Sequence, residues 1–233
     1  MTAKVPKGVT KSALRKVHGG SRRQEYSAST RRALVDVATE LFTAQGYAGT
    51  SLDEIVAGAR VTKGALYHHF SGKQALFESV FEKVEERAAR DIHKAVRGNR
   101  DPWEKALGGL RAFLEVLQAA RYRRIVIADG PAVLGYERYR EQEERSTFAT
   151  VLDIVRSVLG AGSWELDEAM LQTFARIFFG AMSSAGESVA TAEDPEEAAD
   201  RVEAAIGFII AGFRSLADAG VGLPDTLAAV DEA

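Results

Sequence analysis

The stretch 51–70, SLDEIVAGARVTKGALYHHF, constrains the fold of this chain most strongly, because it predicts two short helices joined by a tight turn. Ser51, followed three residues later by a glutamate, has the spacing of a capping box and predicts the start of the first helix. Apolar residues then recur at the spacing of one helix face, at Leu52, Ile55, Val56 and Ala59. Thr62 is placed to cap a second helix, whose Leu66 and Phe70 face inward.

The outward face of the second helix is polar and nearly free of acidic residues, as a helix that enters the major groove of DNA must be. Lys63, Gly64, Tyr67 and His68 lie on this face. The free N–H groups at the start of a helix attract phosphate, and a glycine there lets the backbone approach closely. The alternative is that the aromatic residues only pack in a small core. We favour core packing for His69, and DNA contact for Tyr67 and His68.

The motif and its flanks resemble the TetR family of transcriptional repressors over about residues 30–81. The resemblance rests on a spaced string of residues: Val61, Thr62, Lys63, Gly64, Leu66, Tyr67, His69, Phe70, Lys73 and Leu76. A lone helix-turn-helix pattern occurs in many unrelated helix pairs, whereas this longer string is highly specific. The rest of the chain matches the family in length and helical layout.

The resemblance implies which residues contact DNA. Those expected chiefly at the DNA backbone are Lys63, Tyr67, His68 and Lys73. Those expected closest to the bases are Thr62, Gly64 and Ala65. Thr30 and Thr50 are expected to touch phosphates at the starts of their helices. Because few of these residues carry charge, one copy should bind DNA weakly and a dimer should be needed.

The whole chain after residue 26 shows helical periodicity and contains no internal repeat. The segment 125–127, Ile-Val-Ile, could be a strand, but without a partner strand we interpret it as a buried helical turn. We therefore predict an all-α protein of about nine helices, with an N-terminal three-helix helix-turn-helix domain and a C-terminal ligand-binding and dimerisation domain. The predicted divisions are a basic flexible arm at 1–26, the DNA-binding domain at 27–87 and the C-terminal domain at 88–233.

The net charge of −3 hides an uneven distribution, because residues 1–26 carry seven Lys or Arg and only one acid. A basic arm on an acidic body is typical of a chain that meets phosphate at one end; a passive, solubilising extension is the alternative. No apolar run approaches the ~20 residues that span a bilayer. We expect a cytoplasmic protein that is nucleoid-associated when bound to DNA, and no membrane partner.

Motifs for catalysis and metal binding are missing from the sequence. The four histidines form neither His-Glu-x-x-His nor Glu-x-x-His, and there is no cysteine, P-loop or Gly-x-Gly-x-x-Gly. We therefore expect no enzyme activity, no cofactor and no metal site.

The C-terminal domain is expected to hold a small-molecule pocket between helices, with apolar walls and a few polar groups. Candidate lining residues are Trp103, Phe113, Leu117, Tyr122, Asp129, Tyr136, Phe148, Phe174 and Phe178. Ordinary core packing is the alternative for each of them. Aromatic walls suit apolar compounds, whereas the acids Asp129 and Glu137 would permit a cation.

The last two long helices contain many small residues, which let helix axes approach closely and suit an interface between two copies. Candidate interface residues are Gly180, Ser184, Gly207, Ile210, Ala211 and Phe213. The family resemblance implies the same arrangement.

These features together predict a ligand-responsive transcriptional regulator. The first expectation is a repressor that binds a palindromic operator in double-stranded DNA as a homodimer and is released by an unknown small-molecule effector. One alternative is an activator of the same fold. The other, from a different class, is a helical small-molecule binding protein whose DNA-binding motif is unused.

Overall fold

The computed structural model describes residues 11–162, 164 and 166–222, and for residues 11–23, 143 and 146 it describes the backbone alone. Within these ranges the chain has ten α-helices, one π-helical segment and no strand, which confirms the predicted all-α class. The elements are α1 (Lys11–Gly49), α2 (Leu52–Gly58), α3 (Lys63–His69), α4 (Lys73–Val96), α5 (Pro102–Gln118), α6 (Ala120–Tyr122), the π-helical segment (Arg123–Asp129), α7 (Gly130–Leu134), α8 (Tyr136–Leu159), α9 (Glu168–Thr191) and α10 (Pro195–Asp218).

Helix α1 begins at Lys11, so residues 11–26 of the predicted arm form part of this helix. Five of residues 11–26 are lysine or arginine, which are good helix formers. The first ten residues of the predicted arm lie outside the described residues. A contact between the arm and DNA stays a prediction.

The predicted helix-turn-helix is formed by α2 and α3. The Ser51 hydroxyl accepts the Glu54 N–H at 3.2 Å, and the Glu54 carboxylate accepts the Ser51 N–H at 2.8 Å, which confirms the capping box. The Thr62 hydroxyl accepts the Ala65 N–H at 3.1 Å and caps α3. Arg60 closes the turn with a φ of 55°, a left-handed conformation that side chains other than glycine rarely adopt.

An apolar core lies beneath the helix-turn-helix. All four N-terminal helices contribute buried side chains to it, among them Leu34, Phe42, Ile55, Leu66, Phe77 and Phe81. Burying each such side chain contributes about 1.5–3 kcal/mol. The orientation of α3 is therefore set by the packing of the whole N-terminal region and not by α3 alone.

Helix α4 connects the two ends of the molecule. Its first half packs in the N-terminal core, and its second half reaches α5 through Ile92 and Val96. The predicted division between residues 87 and 88 falls inside this helix. Two independently folding domains stay a prediction.

Helices α5, α8, α9 and α10 form the C-terminal bundle. Helix α8 runs antiparallel to α9, because the rings of Phe148 and Phe179 lie 5.8 Å apart while Arg156 pairs with Glu168 at 2.8 Å. The π-helical segment crosses the end of this bundle that faces α1. Its Ile125 is fully buried, which confirms that residues 125–127 form a buried helical turn and not a strand. In the part of the chain that is described, no helix combines the length and apolarity needed to cross a membrane.

Candidate functional site

The outward face of α3 stands clear of the core. Tyr67 is 57% exposed, and Lys63, Gly64 and His68 are also exposed, whereas Leu66 is 1% exposed and points into the core. The placement of these side chains therefore agrees with the periodicity of the sequence. A contact of this face with DNA stays a prediction.

Two lysines, one on this face and one beside it at the start of α4, have different electrostatic surroundings. Lys63 Nζ lies 2.6 Å from Asp53 Oδ1, and this hydrogen bond and charge raise the pKa of Lys63. Both side chains are largely exposed, so a DNA phosphate can compete with the carboxylate for the ammonium. Lys73 Nζ lies 4.3 Å from the centre of the Tyr47 ring, which holds the ammonium beside the start of α4 by a cation–π contact.

His69 differs from its neighbour His68 in being half-buried. Its ring centre lies 5.1 Å from that of His68 and 6.4 Å from that of Phe70. Burial lowers the pKa of His69 below its usual value of 6.5, and His68 and Arg31 lower it further. A neutral imidazole suits the core-packing role predicted for His69.

Thr50 lies where a phosphate contact has no geometric basis. It is 2% exposed, and its hydroxyl donates to the Gly46 carbonyl at 2.8 Å, so we correct this expectation. Thr30 lies inside α1 and not at its first turn, because the helix starts at Lys11. Its side chain is half-exposed, and its contact with phosphate stays a prediction.

Arg31 is a cation near α3 that was not predicted from the sequence. Its guanidinium lies 5.2 Å above the Phe70 ring and donates to the Ser79 hydroxyl at 2.9 Å. The exposed Arg31–Arg32 pair was the available signal. The sequence alone did not show that this pair lies beside the second helix of the motif.

A polar junction connects the π-helical segment to the end of α1. Asp129 Oδ2 accepts the Tyr47 N–H at 2.8 Å and lies 3.5 Å from Arg124 Nε. Gly46 has a φ of 75°, and a Cβ atom there would lie 1.9 Å from Arg124 Nη2. The positive φ favours glycine at this position, and a Cβ atom would also displace the Arg124 guanidinium. Asp129, predicted as a pocket residue, therefore belongs to this junction.

A cavity of about 120 Å³ lies between the helices of the C-terminal bundle. Four predicted residues line it, namely Phe113, Leu117, Tyr122 and Phe178. The structure adds lining residues that were not predicted, chiefly from α8 and α9, including Thr150, Val151, Ile154, Phe179, Met182 and Ser183. The side chains of α8 that line it follow the spacing of one helix face, a signal that the choice of aromatic residues overlooked.

The other predicted pocket residues lie outside the cavity lining. Trp103 packs in an apolar cluster at the far end of the bundle, and Phe148 and Phe174 pack in a neighbouring cluster. Tyr136 is 72% exposed at the start of α8. These corrections share one reason: residue type alone does not tell which neighbouring helix an aromatic side chain meets.

The outward face of α9 and α10 is apolar. Phe208 is 82% exposed, Ile177 62% and Ile209 46%, and a Cβ atom added at Gly180 or Gly207 would meet no atom within 4 Å. Of the predicted interface residues, Gly180, Ser184, Gly207 and Ala211 are exposed or half-exposed. We refer to this face as the α9–α10 surface.

Two predicted interface residues point inward. Ile210 is 9% exposed and packs with the cluster around Trp103, and Phe213 packs against Phe174 and Phe178. A helix turns about 100° per residue, so an outward Phe208 and Ile209 place Ile210 on the bundle side. We therefore correct the prediction by replacing Ile210 and Phe213 with Phe208 and Ile209.

Two family models match the chain on either side of the predicted division. The model described as "Bacterial regulatory proteins, tetR family" matches residues 34–80, and "Tetracyclin repressor-like, C-terminal domain" matches residues 103–213.

Two curated relatives come from Pseudomonas putida. SrpR, an HTH-type transcriptional regulator, is 31% identical over 101 residues, which are 43% of this chain and 47% of SrpR. TtgW, named as an uncharacterized HTH-type transcriptional regulator, is also 31% identical over 101 residues, which are 43% of this chain and 75% of TtgW. The matched region is therefore about half the length of SrpR and three quarters of the length of TtgW.

The fold resembles a solved TetR-family transcriptional regulator from Pectobacterium atrosepticum, with a TM-score of 0.71 and 28% identity. This match covers 81% of the present chain and 96% of the other. The similarity therefore extends over both the helix-turn-helix region and the C-terminal bundle.

Proposed function

This chain belongs to the TetR family of bacterial transcriptional regulators, and from that premise we propose that it is a repressor that binds operator DNA through α3. The observation that carries the proposal is the exposed face of Lys63, Gly64, Tyr67 and His68 on a helix whose opposite side is anchored by Leu66. A rigidly held helix with a polar face is what reading of the major groove requires.

We propose a homodimer formed through the α9–α10 surface. Large exposed apolar residues on two adjacent long helices mark a surface that another apolar surface covers. In a two-fold dimer the same surface serves both copies, and the two α3 helices can meet half-sites ~34–36 Å apart. The operator is then a palindrome.

We propose that a small molecule in the cavity controls the spacing of the two α3 helices. Helix α4 contributes to the N-terminal core and also lines the cavity through Ile92. The π-helical segment likewise lines the cavity at Ile127 and holds the end of α1 through Asp129. A ligand that binds one arrangement of these elements more tightly than the other shifts the population and releases DNA.

Binding to the DNA upstream of its own coding sequence, measured by fluorescence anisotropy at several salt concentrations, tests the proposal. Lys73→Ala should weaken binding to all sequences alike and reduce the slope of log K against log [salt] by ~1, because each subunit then neutralises one phosphate fewer. Lys94→Ala removes an exposed lysine from the far end of the same helix and should leave affinity and slope unchanged.

A chain that bound no DNA at low salt would refute the repressor proposal and favour the second candidate, a small-molecule binding protein with an unused motif. The cavity is the observation that supports this second candidate. Equal affinity of Lys73→Ala and the native chain at every salt concentration would remove Lys73 from the interface.

A further inference from the structure

We infer that the effector is an uncharged molecule the size of one substituted aromatic ring, bound with a hydroxyl or carbonyl group against Thr150 or Ser183. The inference rests on the proposed function and specifies the chemical class of its ligand. Size, charge and the position of polar groups in the cavity each support it.

The volume of the cavity sets the size of the ligand. It is about 120 Å³, and a 150 Å³ cavity lined by Leu, Ile and Phe in another protein binds benzene. The cavity is therefore of a size that a single ring, with at most a small substituent, fills.

The cavity walls exclude a charged ligand. The lining contains no Asp, Glu, Lys, Arg or His among the described residues. Glu85 of α4 is buried but is not among the lining residues, and Asp129 is held at the junction by Tyr47 and Arg124. An ion entering the cavity would lose its hydration without gaining a partner charge, which is strongly unfavourable.

Four residues that line the cavity carry a hydroxyl group, namely Tyr122, Thr147, Thr150 and Ser183, and the first two also interact with other groups of the protein. Thr150 on α8 and Ser183 on α9 are half-buried lining residues, and neither hydroxyl has a hydrogen-bond partner elsewhere in the described ranges. Helices α8 and α9 are antiparallel, so Thr150 and Ser183 lie on opposite sides of the contact between Phe148 and Phe179, about 9 Å apart along the helix axes. They are therefore two separate polar positions in the cavity.

One end of the cavity is apolar. Val158 and Leu159 of α8, two or more turns from Thr150, line it together with Ile210 of α10. Hydroxyl groups donate and accept, so Thr150 or Ser183 suits a ligand hydroxyl or carbonyl, while the ring lies toward the apolar end. The ligand is thus oriented with its polar group toward the end of the bundle where the π-helical segment lies.

Four probes that share one ring test this assignment on the full chain by isothermal titration calorimetry at neutral pH. Benzyl alcohol should bind most tightly, and toluene, which lacks the hydroxyl, about 3–10-fold more weakly. Benzoate and benzylammonium, the anionic and cationic counterparts, should bind at least about 100-fold more weakly than benzyl alcohol.

A double substitution tests the two hydroxyl positions. Thr150→Val and Ser183→Ala together should abolish the preference for benzyl alcohol over toluene while toluene binding persists, because the walls and volume change little. Thr173→Val is the matched control, because Thr173 is exposed on α9 and its hydroxyl already donates to the Ala169 carbonyl. The control should keep the preference of the native chain.

Equal or tighter binding of benzoate or benzylammonium would overturn the assignment of an uncharged ligand. Failure of all four probes to bind would overturn the assignment of a single-ring ligand. Operator affinity measured on the same preparations distinguishes either result from failure of the proposed function, because DNA binding by the unliganded chain does not require the cavity.

Discussion

Helix α3 and the cavity are built in opposite ways. The residues proposed to contact DNA are the outward half of α3, above a core that the inward half completes. The residues proposed to bind the effector are the inward faces of several helices, so they are also part of the bundle core. The DNA-binding face can therefore change with little effect on stability, whereas the cavity cannot.

The magnitudes of substitution effects follow from this difference. Changes at exposed positions such as Tyr67 usually alter the free energy of unfolding by less than about 0.5 kcal/mol. Truncating a buried leucine or isoleucine lowers it by about 2–5 kcal/mol. Binding and folding are thus separable at α3 and coupled at the cavity.

The largest effect is expected at the α9–α10 surface, where α10 carries both outward-facing and inward-facing apolar residues. Phe208→Glu places a charge on the exposed apolar face and should give a monomer in sedimentation, with operator affinity reduced more than about 100-fold by the loss of one half-site. The neighbouring change Gly207→Glu should act in the same way.

The matched change on the inward side is Ile210→Ala. It should lower the free energy of unfolding by about 2–4 kcal/mol and leave the dimer intact, because Ile210 is buried in the bundle. A Phe208→Glu chain that still sediments as a dimer would place the interface elsewhere.

The next effect concerns the junction that couples the two regions. Asp129→Ala removes the acceptor of the Tyr47 N–H and should lower the free energy of unfolding by about 1–3 kcal/mol in denaturant titrations. Asp36→Ala removes an exposed ion pair with Lys83 and should lower it by less than about 1 kcal/mol. Equal decreases in the free energy of unfolding for the two variants would show that the junction stabilises the fold no more than a surface ion pair does.

A smaller effect, of opposite sign, is expected in the turn of the motif. Arg60 has a φ of 55°, so Arg60→Gly should raise the free energy of unfolding by about 1 kcal/mol. Arg60→Ala keeps a Cβ atom in the same left-handed conformation and should give no gain. A melting temperature raised equally by both variants would show that the side chain, not the backbone, causes the strain.

The smallest effect is a pH dependence at His69. Because burial lowers its pKa in the folded state, the unfolded chain takes up the proton at higher pH. The stabilisation is complete above the usual pKa of 6.5 and is lost as the pH falls through the lowered value. His69→Gln should flatten the free energy of unfolding against pH in this window, and an unchanged profile would contradict the assignment.

The sequence predicted the helix-turn-helix well because its signals are local. The Ser51 capping box, the Thr62 cap and the inward Leu66 depend on residues at most four positions apart. Thr50 was misplaced because its burial depends on how the end of α1 packs, which no local spacing encodes.

The C-terminal region was predicted less completely because its site depends on contacts between distant helices. Phe113 and Trp103 both lie on α5 and look alike in a hydrophobicity pattern, yet only Phe113 reaches the cavity. Ile209 and Ile210 are adjacent, yet Ile209 faces outward and Ile210 faces the bundle, because a helix turns about 100° from one residue to the next. The Arg124–Asp129 junction joins segments about 80 residues apart in sequence, where spacing gives no information.

The central claim is that the outward face of α3 binds DNA and contributes little to the stability of the fold. The dissociation constant of the Tyr67→Ala variant for the upstream DNA tests this claim most directly. Affinity should fall at least about 10-fold, since a hydrogen bond to a charged phosphate contributes about 1.5–3 kcal/mol, while the free energy of unfolding stays unchanged because Tyr67 is exposed. Unchanged affinity in a folded Tyr67→Ala dimer would contradict the claim.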